Sequence, residues 1–172
     1  MRFLTAVLLS TQTLIALAAG QPPPPPGCPA SKTEHHQFDF WIGDWGVRDR
    51  AGTLQGRSHI AAIVDGCGIA EHWQGAKGVN GVSYNAWDPA SKKWHQFWIG
   101  NGGNVLYLEG GVENGHMSMV GKQIQADGKP SLQRIAWTAQ ADGSVIQVWN
   151  QSTDAGKTWV VAFEGVYRKH SP

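Results

Sequence analysis

The chain has 172 residues, with 14 Lys and Arg against 13 Asp and Glu; 41% are apolar, 16% charged and 10% aromatic. That length fits one domain able to bury its own core without a metal or a dense set of disulfides. The balanced charge excludes a basic field for nucleic acid or an anionic membrane, and the composition excludes disorder, coiled coil and collagen.

The first segment reads as an address. Arg2 precedes an apolar run over residues 4–19, and Ala16, Ala18, Ala19 and Gly20 offer cleavage points after Ala18 or Gly20. This is the layout of a secretory signal peptide, residues 1–20. A membrane span fits less well, because polar residues 10–13 interrupt a stretch that would need about 20 mainly apolar residues. Removal of residues 1–20 takes Arg2 alone from the 14 basic side chains, so 13 remain against 13 acidic ones. The expected location is therefore secreted or periplasmic.

Residues 21–37 follow as a spacer. Prolines 22–26 favour extended polyproline II and cannot join a sheet, which makes a stiff linker. Cys28 and Cys67 are the only two cysteines. In an oxidising compartment they are expected to form a disulfide closing a loop of about 40 residues. A thiol nucleophile is the alternative, but the pair has no C-x-x-C spacing.

From residue 38 to 172 the chain reads as a single β domain. Strands are predicted over residues 38–49, 57–65, 68–74, 78–87, 93–99, 105–110, 115–125, 132–140, 144–151 and 158–169. Between them lie turn sequences such as Asn101-Gly102-Gly103-Asn104, Asn114-Gly115, Asp127-Gly128 and Asp142-Gly143. Asn and Asp tolerate left-handed backbone and Gly carries no steric penalty there. No segment sustains a 3.6-residue apolar period, so helix is confined to a turn near residues 33–37. About ten strands at regular spacing suit a sandwich or a closed barrel, and short turns between successive strands favour an up-and-down antiparallel barrel.

Particular motifs carry a resemblance. Phe38-Asp39-Phe40-Trp41-Ile42-Gly43-Asp44-Trp45 contains the Gly-x-Trp of a first strand and resembles the opening of lipocalin and calycin barrels. Together with Gly66-Cys67-x-Ile69-x-Glu71-x-Trp73, Trp94-x-Gln96-x-Trp98 and Gly156-Lys157-Thr158-Trp159, it resembles a family of exported bacterial proteins of unassigned function. The resemblance spans nearly all of residues 38–168 and implies a calycin-like barrel, with no assigned activity. Some barrel relatives bind haem through one histidine. His72, His95 or His170 are the residues here that such a role would need, but none sits in a matching motif, and no cofactor is expected.

The candidate site comes from polar residues set among aromatics on one strand face, since side chains two apart share a face. Glu71 stands beside Trp73, Gln96 between Trp94 and Trp98, and Gln147 beside Trp149; Ser83, Asn85 and Trp87 form a similar set. Arg134 shares a face with Leu132 and Ala136. With these faces turned inward, Trp73, Trp98 and Trp149 wall a lumen in which Glu71, Gln96, Arg134 and Gln147 are the polar contacts, a composition suited to a small, partly apolar ligand. The competing arrangements are a filled core in which Glu71 pairs with Arg134, and outward aromatic faces serving a partner or a homodimer.

No catalytic triad or zinc-ligand spacing is present, and metal ligands are not expected. The reading leans toward binding without catalysis. An enzyme here would use Glu71 and Arg134 as acid–base and anion-holding groups. Finally, Ser152-Thr153-Asp154-Ala155-Gly156-Lys157-Thr158-Trp159 resembles the Asp-box hairpin of sialidase propellers, which implies a rigid hairpin and not glycan cleavage.

Overall fold

The computed structural model describes Cys28 and residues 33–169. The expected signal peptide and most of the spacer lie outside these residues. Ten strands follow in chain order: β1 (Gly43–Arg48), β2 (Leu54–Ile63), β3 (Gly68–Gly75), β4 (Asn80–Asp88), β5 (Lys93–Gly100), β6 (Val105–Glu113), β7 (His116–Ile124), β8 (Pro130–Ala139), β9 (Val145–Ser152) and β10 (Val160–Lys169). Each pairs antiparallel with its neighbour in sequence, and β1 pairs with β10, so the sheet closes as an up-and-down barrel. Closure leaves no strand edge open to another chain.

The turns sit where the sequence supplies the backbone for them. Asn114 and Gly115 both take positive φ, at 50° and 81°, between β6 and β7. That pair of left-handed residues matches the right-handed twist of the strands it joins. The Asp-box sequence forms the hairpin expected of it between β9 and β10. Asp154 accepts from Ser152 Oγ at 2.8 Å and from the Thr158 amide at 2.9 Å, while Trp159 Nε1 donates to the Gly156 carbonyl at 3.1 Å.

One prediction at the start of the domain is corrected. Residues 38–42 do not extend the first strand; Asp39–Trp41 is a single 3-10 turn. It carries Phe38 and Trp41 across one end of the barrel, where both are fully buried. Phe38 stacks on Trp41 with ring centres 4.9 Å apart and meets Trp94 and Trp137 edge-on at 5.7 and 5.2 Å. Trp45 Nε1 donates to the Trp41 carbonyl at 2.9 Å. With Val47, Leu108, Met117, Met119 and Tyr167 this plug fills the lower half of the lumen solidly.

A disulfide joins Cys28 to Cys67, 39 residues apart in sequence. Cys67 lies in the β2–β3 connection, and the alternating topology puts that turn at the plugged end. The bridge therefore ties the approach to the plug onto the barrel. No helix among the described residues is long and apolar enough to cross a membrane.

Candidate functional site

The upper half of the barrel is hollow. A cavity of about 420 Å³ reaches the end that carries the β3–β4 and β5–β6 turns, where Lys77, Val79 and Asn104 stand. That volume falls in the range of about 300–1,000 Å³ typical of small-molecule sites. The two turns are tied together by Asn101, whose Nδ2 donates to the Gly78 carbonyl at 2.9 Å while its Oδ1 accepts from the Asn80 amide at 3.1 Å. The mouth is thus held by hydrogen bonds between neighbouring turns.

Trp73, Trp98, Trp149 and Phe163 wall the cavity, Leu106 stands beside Trp98, and Ile135 and Trp137 continue it toward the plug. Small residues seat the indoles. A Cβ added at Gly81 would fall 2.3 Å from the Trp98 ring, and one at Gly56 would fall 2.7 Å from the Trp73 ring. Both rings therefore lie close against strand backbone, which leaves the middle of the lumen clear. Trp149 is anchored differently: its Nε1 donates to Gln133 Oε1 at 2.7 Å.

At the floor stands Glu71, only 5% exposed. It sits in one cross-strand row with Ser83, Trp98 and Leu106. Ser58 Oγ donates to its Oε1 at 2.8 Å and Ser83 Oγ to its Oε2 at 3.1 Å. The chain of bonds continues toward the plugged end, from Gln96 Nε2 to Asn85 Oδ1 at 2.8 Å and from Asn85 Nδ2 to Ser83 Oγ at 3.1 Å. Glu71, Ser83, Asn85 and Gln96 each have at least one hydrogen-bond partner, as buried polar side chains require.

Burial pushes the Glu71 carboxyl up to about 7, and the two serine bonds only partly offset that. No basic side chain faces it to hold the charged form. Opposite, the Tyr167 hydroxyl donates to Gln147 Oε1. Burial and then the Glu71 charge hold the Tyr167 phenol well above its ordinary value. At neutral pH the floor thus combines a half-ionised acid, a neutral phenol and two amides.

Six of the seven residues expected at the site line this one cavity: Glu71, Trp73, Gln96, Trp98, Gln147 and Trp149. Arg134 does not. It projects from the outer face of β8, and its guanidinium lies 4.3 Å from the centre of the Trp159 ring. The inward residues of β8 are Ser131, Gln133, Ile135 and Trp137. The expected Glu71–Arg134 pair therefore does not form, and the stem and charge of Arg134 cap the Asp-box hairpin instead. Ser58 and Tyr167 were not anticipated at the site. Ser58 is buried on the inner face of β2, and nothing in the sequence aligned it with Glu71 across the β2–β3 pair. The candidate histidines divide likewise: His72 is exposed and His95 is on the outer face, bonded to Tyr107 at 2.6 Å, while His170 lies outside the described residues. Among the described residues, no three of His, Cys, Asp and Glu gather closely enough to hold a metal ion.

No protein-family model matches the chain, and no curated protein matches it. What the site can do is thus read from its geometry. A closed barrel with a buried aromatic cluster and a hollow upper half is compatible with binding a small molecule.

Proposed function

We propose that this protein binds a small, partly apolar ligand in the upper half of its barrel and does not transform it. The observation that carries this reading is the 420 Å³ cavity walled by Trp73, Trp98 and Trp149 over the Glu71 floor. Indole walls supply contact area, and a few fixed polar groups orient a guest. The enzyme reading is weaker, because Arg134 on the outer face leaves Glu71 without the anion-holding partner it needs. The Cys28–Cys67 bridge supports export to an oxidising compartment, secreted or periplasmic. Kinship with the exported family that the strand motifs resemble is part of the same proposal.

Intrinsic tryptophan fluorescence tests the binding. Titration with a panel of aromatic compounds, alkyl amines, fatty acids and haem is expected to shift emission for at least one class, with Trp98→Leu and Trp149→Leu weakening the response. A panel that leaves emission unchanged throughout would overturn the proposal.

A further inference from the structure

We propose that the cavity selects organic cations, with a substituted ammonium group held between the indole faces and the Glu71 carboxylate. This rests on the ligand-binding reading and narrows it to a chemical class. Three features of the lining lead to it.

The first is the charge inventory. Among the residues lining the cavity the titratable ones are Glu71, Lys77 and Tyr167. Lys77 stands in the β3–β4 turn at the mouth, Tyr167 is a neutral phenol, and Arg134 is outside the barrel. The floor therefore holds one buried acid with no cation beside it. A buried carboxylate needs a positive partner or a proton, and a guest ammonium can fill the first role. A guest anion in the same place would meet the like charge of Glu71.

The second is the walls. Indole is the strongest aromatic host for a cation, and the attraction strengthens where the contact is desolvated. Trp73 follows Glu71 by two residues on β3, so both point into the lumen. Trp98 shares the cross-strand row of Glu71. Trp149 stands opposite Phe163 on the β9–β10 pair and completes an aromatic enclosure. The third is the carboxyl group itself. Ser58 and Ser83 take one acceptor position on each oxygen, and a carboxylate has about four such positions. Two remain for a guest.

Benzyltrimethylammonium is a suitable probe, because its charge does not titrate and any pH dependence belongs to the protein. Its uncharged isostere neopentylbenzene and anionic phenylacetate are the comparisons, all titrated into the full chain by calorimetry. Bound cation favours ionised Glu71, whose carboxyl titrates near 7 in the free barrel. Affinity is therefore expected to be flat above pH 7 and to fall toward tenfold per unit below it. At pH 8 the cation is expected to bind at least about tenfold more tightly than neopentylbenzene. Glu71→Gln should remove most of that preference and flatten the pH profile, while Arg134→Met, on the outer face against Trp159, should leave both in place. Equal binding of cation and isostere, with no pH dependence, overturns cation selectivity but leaves the ligand-binding reading standing. Tighter binding of phenylacetate overturns it as well. Failure of all three probes overturns the inference, and the wider fluorescence panel then decides the broader reading separately.

Discussion

At the scale of single residues, Glu71 shapes how the barrel responds to pH between 4.5 and 7. In the unfolded chain its carboxyl titrates near 4.5, and in the folded barrel burial raises this to about 7. Below pH 4.5 both states hold the proton and the contribution to stability is neutral. Between 4.5 and 7 the unfolded chain gives up the proton while the barrel keeps it, so stability falls as pH rises. Above 7 the loss is complete, at about 3 kcal/mol. Gln has the shape of the protonated acid and can still bond to Ser58 and Ser83. Glu71→Gln is therefore expected to match the wild type in unfolding free energy from urea titration at pH 4.5 and to exceed it by about 3 kcal/mol at pH 8. Coincident unfolding curves at pH 8 would show that water reaches the carboxyl group. A destabilised floor kept at neutral pH fits the proposed site, in which a guest would supply the missing partner.

At the scale of elements, the hollow depends on glycines beneath the tryptophans. Gly81 on β4 leaves room for the Trp98 ring of β5; a methyl group there would sit 2.3 Å from the ring and 2.5 Å from the Ile99 carbonyl. Gly81→Ala must push the indole into the lumen or spread two strands, at roughly 1–3 kcal/mol. The expected result is a lower urea midpoint with unchanged slope, and a weaker fluorescence response to ligand. Wild-type stability and binding would mean that the ring does not rest on the strand. The elements were largely legible in the sequence: the ten strands and the Asp-box hairpin follow from period-2 alternation and Asn/Asp-Gly turns, both local signals. Residues 38–42 misled because Phe38, Phe40 and Ile42 alternate as a strand would, while only the packing of Phe38 and Trp41 against distant Trp94 and Trp137 makes them a plug. Arg134 misled for a related reason. Both faces of β8 carry apolar residues, Leu132 and Ala136 on one and Ile135 and Trp137 on the other, so local pattern could not choose the inward side. The choice is made by the hydrogen-bonded register with β7 and β9, which sequence alternation does not encode.

At the scale of the molecule, the barrel is divided into a packed half and an open half, and the disulfide belongs to the packed one. Cys28 precedes the plug, and Cys67 lies between β2 and β3 at the same end. Cutting the bridge frees the chain ahead of Phe38 in the unfolded ensemble and relaxes the strap that holds the plug. For a closed loop of about 40 residues, chain entropy sets the stabilisation at about 4 kcal/mol at most. In a domain of this size that corresponds to a fall in Tm of roughly 10 °C. Neither cysteine lines the cavity, so ligand affinity at room temperature should be unchanged on reduction. Thermal melting with and without a thiol reductant, paired with ligand titration under both conditions, separates the two effects. An unchanged Tm would mean that the stacked rings of Phe38 and Trp41, with the Trp45 bond to the Trp41 carbonyl, hold the closed end by themselves. A Tm that falls together with ligand affinity would mean that the halves are coupled, and that order at the plug reaches the Glu71 floor through Trp137 and Tyr167, which touch both.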